Sequence, residues 1–282
     1  MRGQASLIPI SIVTWGSTLF IIRLGAPLFN VFEFNFLLYS TGALIISATI
    51  AVQKKTSSSV GRRTILYPAA AAATEVAANT AFLLALEHVP VSIVAPAMST
   101  SVIITVVLAA IVLRERQTVV RVTGIFLAVS GVALLTLPSS SEGSGAISLL
   151  GAFLLGATII LRGAWNFIVK LGVSAVGVNR FLKRWLILSS IFSTPTALIF
   201  SPGFILNGAI LYPITAAAVM VFGSLAYFAA VERFPIGLVA PAVSLGPGFT
   251  VILAIVFLGE GLTVLQGIGA VVAILGVALI AR

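Results

Sequence analysis

The sequence predicts an all-α membrane protein: ten transmembrane helices arranged as two inverted five-helix repeats. Three observations predict it. Sixty percent of the 282 residues are apolar and only 8% are charged, against roughly 45–50% and about 25% in soluble domains, and the mean hydropathy is +1.21. The apolar residues gather into runs of the length a bilayer requires, about 20 residues. The second half of the chain repeats the first.

A water-soluble protein of this composition would expose an apolar surface that soluble monomers avoid. That excludes a soluble enzyme, a disordered chain and a nucleic-acid partner. The net charge of +9 is carried in the gaps between apolar runs, so it is no nucleic-acid footprint. There is no Cys and no Asp, and His88 is the one histidine. Disulfides, thiolate chemistry and metal-ligand clusters therefore have no residues to use, and neither metal nor cofactor is expected.

Ten runs are expected to span, near 6–22, 31–51, 65–86, 90–112, 118–137, 147–169, 179–200, 210–231, 236–258 and 262–280. The first has no basic cluster and no small-residue cleavage site, so it reads as a retained span rather than a signal peptide. Strands of a barrel would alternate polar and apolar residues; stretches such as 102–112 and 268–280 do not. Helices satisfy their own backbone groups, which the hydrocarbon core demands. No connecting loop is long enough to fold alone.

Lysine and arginine set the orientation. With the N-terminus inside, the cytoplasmic loops and helix ends carry Lys54, Lys55, Arg62, Arg63, Arg114, Arg116, Arg121, Lys170, Arg180, Lys183, Arg184 and Arg233, with Arg2 and Arg282 at the termini. The other side holds Arg23 and His88. The expectation is a multi-pass protein of the cytoplasmic membrane with both termini inside.

The repeat is direct. Residues 81–136 shifted by 145 positions meet 226–281 without a gap, with 23 identities in 56 pairs. Ser99 meets Ser244, Glu115 meets Glu260, and Gly124 and Gly131 meet Gly269 and Gly276. Upstream, residues 20–25 still echo 167–172. Five spans is an odd number, so the second copy must lie upside down, and inverted repeats are an architecture of alternating-access carriers. The domains are expected at 1–137 and 147–282, joined by a non-cytoplasmic linker over 138–146.

The stretches Val94-Ala95-Pro96, Glu115, Gly124 and Gly131-Val132, answered by Val239-Ala240-Pro241, Glu260, Gly269 and Gly276-Val277, resemble the EamA domain pair of the drug/metabolite transporter superfamily. That resemblance implies a membrane carrier; members export amino acids, carry metabolites or sugars, or expel toxic cations. Such domains often carry Arg where Arg180 stands, whereas the aligned first-half residue is Asn35.

A charge at mid-bilayer costs roughly 2.5–3.5 kcal/mol on insertion scales, so Glu75 in span three and Arg162 in span six are expected to face the bundle. Asn79 and Asn166 follow them by four residues, on the same helix faces. Glu75 is the one deep carboxylate this reading finds, a candidate for coupling to protons; Arg162 suits an anionic group. Alternatively the two neutralise each other. In span nine, Ser244-Leu245-Gly246-Pro247-Gly248 interrupts the helix near its midpoint, with Pro247 and Gly248 as hinge. Its counterpart in span four is Ser99-Thr100-Ser101. Matched interruptions point to a central site. Trp15, Ser17, Trp165, Ser224 and Tyr227 lie at similar depth and suit an amphipathic solute. Glu87, Glu115, Glu232 and Glu260, at helix ends, and Pro90 and Pro235, opening helices, read as structural. The pairs Gly124/Ala128 and Gly269/Ala273 permit close helix contact, either between the halves or in a homodimer.

Together these make a secondary carrier for a small-molecule solute, an exporter of amino acids or related amphipathic solutes, the leading expectation, with the protein a monomer or homodimer. No P-loop is present to use ATP. A flippase for a lipid or lipid-linked sugar would need a lateral opening, and a channel could share the repeat. A membrane-embedded enzyme is disfavoured by the lack of Asp, Cys and paired histidines.

Overall fold

The computed structural model describes residues 6–25, 28–52, 63–86, 88–89, 97–116, 118–135, 148–201, 208–259 and 263–280. These are helical, with no strand among them. The helices are α1 (Leu7–Gly25), α2 (Val31–Val52), α3 (Arg63–Leu86), α4 (Ser101–Val112), α5 (Val119–Leu135), α6 (Leu149–Val176), α7 (Val178–Phe200), α8 (Leu211–Arg233), α9 (Ile236–Val243), α10 (Gly246–Leu258) and α11 (Val264–Ile280). The expected linker over 138–146, Lys54, Lys55, Arg62, Glu87, Pro90, Pro96 and Glu260 lie outside the described residues.

Among the described residues, four segments are long and apolar enough to cross a bilayer: Phe32–Ala51, Leu149–Val176, Leu211–Arg233 and Ile236–Leu258. Shorter apolar helices accompany them, at Leu7–Ile22, Ala97–Val112, Val119–Leu134 and Val264–Ile280. Small residues pack inside and many large apolar side chains face outward, beside a few enclosed large ones such as Phe34, Trp185 and Phe228. Ala71, Ala72, Ala78, Ala85, Ala109 and Ala128 are fully buried, while Val119, Leu149, Phe153, Phe257 and Val264 are each 70% exposed or more. Lipid tails give apolar side chains no reason to turn inward, and small residues let helices approach. A chain with this distribution is built for hydrocarbon.

The chain forms two compact units. Unit 1 holds residues 1–76 and 168–233, and unit 2 holds 77–167 and 234–282. Helices α3 and α6 therefore each contribute to both.

Unit 1 is built on antiparallel helix pairs. Helix α1 packs on α8: a Cβ on Gly223 would meet Thr14, and one on Gly25 would meet Tyr212. Helix α2 packs on α7. Asn30 Nδ2 donates to Phe200 O at 2.8 Å, Ser201 Oγ donates to Glu33 Oε2 at 3.2 Å, and Ser40 and Ser190 share a hydroxyl–hydroxyl bond of 2.6 Å. Residue numbers rise on one helix as they fall on the other. Helix α7 is polar for a buried helix, yet Phe181, Leu182, Trp185, Leu186, Ser189 and Ser193 are all enclosed.

Unit 2 centres on α5 against α11. A Cβ on Gly124 would strike Gly276 O, and one on Gly131 would strike Gly269 O. A Cβ on Gly131 would also hit the Ala273 backbone, and one on Gly276 the Ala128 backbone. Under the 145-residue shift, each of these contacts maps onto the other. The small-residue pairs of the two copies thus pack on each other, antiparallel. Val102, Val106, Ile125, Val129 and Ile280 close the core beside them.

Two expected boundaries need correction. The sixth span does not end at 169 but runs as α6 to Val176. The cation at Lys170 does not end it, because its Nζ donates to Val231 O at 2.5 Å and is satisfied inside unit 1. The helix stops only at Gly177, whose φ of 79° suits glycine, and α7 begins at the next residue. The break in the ninth span is also shorter than 244–248. Only Ser244 and Leu245 leave the helix, and Pro247 and Gly248 already belong to the first turn of α10. A first-turn N–H has no partner within the helix, so proline there starts a helix rather than kinking it. Pro247 and Gly248 are therefore not the break itself.

Candidate functional site

The polar residues of unit 1 gather around α2, α3, α7 and α8. Glu75, on α3, is buried, and the Tyr39 hydroxyl donates to its Oε1 at 3.3 Å. Tyr39 packs edge-on against Trp185, with centroids 6.2 Å apart, and Trp185 in turn meets Phe228 at 5.7 Å. Tyr227 is buried beside Phe228, within electrostatic range of Glu75. Ser224, one turn before Phe228 on α8, is fully enclosed, and its Oγ has no hydrogen-bond partner among the described residues. Trp15 and Ser17 on α1 are half-buried, and the Trp15 Nε1 likewise has no partner among the described residues. A cavity of about 760 Å³ in this unit is lined by Val176, Asn179, Arg180, Leu225, Glu232 and Arg233, among others. Leu225 lies eight residues from Arg233, so the cavity reaches about 12 Å along α8.

In unit 2 the expected residues of α3, α4 and α6 come together. The Arg162 Nη2 donates to Asn79 Oδ1. Asn166 Nδ2 donates at 3.4 Å to Thr105 Oγ1 and to Arg162 O. Thr105 Oγ1 donates to Gly163 O at 3.0 Å. Glycine at 163 allows this approach: a Cβ there would strike Ile104 and the carbonyl of Ser101. Trp165, on the same helix, is 7% exposed. Each of the two deep charges thus finds a neutral partner within its own unit, Glu75 with Tyr39 and Arg162 with Asn79.

The interruptions fall in register. Thr100 precedes α4, and Leu245 precedes α10, 145 positions later. Ser99 Oγ donates to Val129 O at 3.4 Å, and Ser244 Oγ turns back on Pro241 O at 2.6 Å. Ser101 is buried at the start of α4, and its counterpart Gly246 opens α10.

Two acids carry more structure than sequence reasoning assigned. Glu33 is 6% exposed: it is a second buried carboxylate, and the expectation of a single one fails. Its Oε2 accepts from Ser201, while its Oε1 has no partner among the described residues. Its sequence signal was slight, an acid at the first turn of an apolar run, where the helix dipole favours it. Glu115 is more than a helix-end residue near water. Its Oε1 and Oε2 accept from the backbone N–H groups of Ile236 and Gly237, at 3.1 Å each, and so cap α9. Those donors lie 121 and 122 residues away, beyond any local pattern.

Apolar helices among the described residues, four of them long enough to span, and many large apolar side chains facing outward define a multi-pass membrane protein. The EamA-like transporter family matches the chain twice, over residues 4–137 and 149–282. The chain belongs to this family, which is a family of membrane transporters of the drug/metabolite transporter superfamily. It is similar to an uncharacterized protein of Methanocaldococcus jannaschii, 42% identical over 69 residues. That match covers 24% of this chain and 50% of the relative, whose full length is thus close to that of one half here. A solved structure described only as the crystal structure of a protein shares the fold, with a TM-score of 0.82 at 13% identity over 99% of this chain and 96% of the other.

Proposed function

We propose that the protein is a secondary carrier that moves a small amphipathic solute by alternating access, exporting amino acids or related compounds across the cytoplasmic membrane. Both termini lie on the cytoplasmic side, and the two five-helix halves, 1–137 and 147–282, are related by inversion. One observation carries the reading most: α5 and α11, which are sequence equivalents, run antiparallel through contacts that map onto one another under the 145-residue shift. Two copies of one unit in opposite orientations can open equally well to either side. The matched interruptions before α4 and α10 support this, because irregular backbone at membrane depth is tolerated where it lines a cavity or is buried in protein.

In this reading unit 2 offers the solute-binding residues Asn79, Ser99, Ser101, Arg162, Trp165, Asn166, Ser244 and Gly246, and unit 1, taken by itself, offers Trp15, Ser17, Ser224 and Tyr227. The Arg162 guanidinium, aimed by Asn79, suits a carboxylate, and the indoles suit an apolar body. Glu75 couples the cycle to protons. The cavity beside Arg180 and Arg233 gives the solute its way in from the cytoplasm.

The test is a thermal-shift screen of purified protein against amino acids, nucleosides, polyamines and quaternary amines, followed by counterflow of each hit in proteoliposomes. Saturable counterflow is expected, and Glu75→Gln should retain it while losing uptake driven by a pH gradient. Unsaturable flux would identify a channel and overturn the reading. Full pH-driven uptake by Glu75→Gln would remove the coupling role.

A further inference from the structure

We propose that the α2·α7 seam of unit 1 is a proton route that loads at Glu33 and ends at Glu75. The proposal rests on the reading of Glu75 as the coupling carboxylate, and it adds an entry point and a path.

The entry point is Glu33. A buried carboxylate normally satisfies both oxygens, yet among the described residues only Oε2 is engaged, by Ser201. Oε1 is left as a proton acceptor at one end of the seam. Tyr212 of α8 lies against Gly25 at that end, and Arg23 belongs to the same end of α1. Helix α7 presents a hydroxyl there, and its basic residues Arg180, Lys183 and Arg184 stand at its opposite end.

The path is a stripe of hydroxyls. Ser190, Ser193 and Thr194 share one face of α7 with the small Ala197, and Ser201 follows just past the end of the helix. Ser193 and Thr194 donate to Ser190 O at 3.0 and 2.9 Å, which leaves their lone pairs as acceptors. From α2, Ser40 reaches Ser190 at 2.6 Å. Glu33 and Ser40 lie seven residues apart, about 10 Å along the helix. Ser189 is wholly enclosed, and its Oγ has no partner among the described residues. It stands one turn from Trp185, the ring against which Tyr39 packs. The Tyr39 hydroxyl already donates to Glu75 Oε1. Tyr39 and Tyr227 face Glu75, and the Lys170 ammonium of α6 is held on Val231 O.

The transfer balances. A hydronium ion gives its proton to Glu33 Oε1 and leaves as water. Release of that proton to the hydroxyl row restores the carboxylate. Each hydroxyl takes one proton and passes its own onward, with water bridging the steps of one and two turns. Tyr39 delivers the last proton to Glu75 Oε1 and is reprotonated from the row. One positive charge has then moved along the seam, and Glu75 is a neutral acid.

The test follows Glu75 itself, so it needs no identified solute. Protein in proteoliposomes is subjected to an acid jump, and time-resolved infrared difference spectra follow the carboxylic C=O band that Glu75→Gln removes. Glu33→Gln is expected to slow the rise of that band by about a hundredfold, the scale on which positioned acid–base groups act. The equilibrium midpoint of the band should stay in place, and Glu33→Asp should restore most of the rate. A merely structural Glu33 would shift the midpoint or leave the rate alone. Ser190→Ala keeps both carboxylates and should slow the rise as well, which preserves the test if Glu33→Gln fails to fold. A wild-type rate in both variants overturns the route and leaves the coupling reading intact. Absence of any Glu75-dependent band in the wild type overturns both.

Discussion

The α5·α11 and α2·α7 seams share a geometry and differ in chemistry. Both are antiparallel pairs. In the first, Gly124, Ala128 and Gly131 meet Gly269, Ala273 and Gly276, backbone against backbone. In the second, the contacts are Asn30 with Phe200 O, Glu33 with Ser201, and Ser40 with Ser190. In hydrocarbon, van der Waals packing holds helices together, and polar contacts add only modestly. The first seam therefore fixes its helices closely and leaves nothing to move or titrate. The second is held by hydrogen bonds that can be exchanged one at a time. If the proposed route holds, rigidity and proton handling fall to different helix pairs.

Substitutions can break or sharpen this contrast. The largest effect is expected from Gly131→Leu. Its side chain would enter the Ala273 backbone, which has no rotamer with which to yield. Overpacking of this kind costs about 1–3 kcal/mol or more, so the variant should lose its monodisperse peak on size-exclusion chromatography. A variant with wild-type thermal stability would show that the seam is not rigid.

Next is Arg162→Lys. An ammonium cannot reproduce the guanidinium fork, so the thermal shift produced by a solute that stabilises the wild type should largely vanish. An undiminished shift would take Arg162 out of the solute site. Glu115→Ala should destabilise by about 1–2 kcal/mol, the range for loss of a helix cap. It uncovers two N–H groups at the start of α9, and denaturation in detergent measures the cost. The smallest effect is expected in the polar seam, from Gly42→Ala. The new methyl would rest at 3.4 Å or more from Leu186 and Met220 side-chain atoms, an ordinary contact, and alanine is the better helix former by about 1 kcal/mol. Its melting temperature should match or slightly exceed that of the wild type. A collapse like that of Gly131→Leu would erase the distinction between the seams.

Much of the architecture was legible in the sequence because bilayer span length and a 145-residue repeat are patterns in one dimension. The position of the interruption in span nine was visible as serine followed by glycine and proline; its extent was not, because proline in a first turn and proline in a kink read alike. Glycine at 124, 131, 269 and 276 announced close contact without naming the partner, which only packing supplies. Lys170 looked like the end of a span because its acceptor, Val231 O, is 61 residues away. Glu33 was missed for a related reason. An acid at the edge of an apolar run reads as wetted, and it is Ser201, 168 residues on, that encloses it. Glu75 and Arg162 stood out because charge inside an apolar run is costly. Their neutral partners could not be read from spacing except for Asn79, already marked as the residue four beyond Glu75.

The reciprocal glycine contacts of α5 and α11 have a consequence for sequence change. A surface on which one residue meets a second, and the counterpart of the second meets the counterpart of the first, is what two identical molecules make about a two-fold axis. Bulk added on either side meets the facing backbone, so enlarging Gly124 and Gly276 together should be no easier than enlarging one.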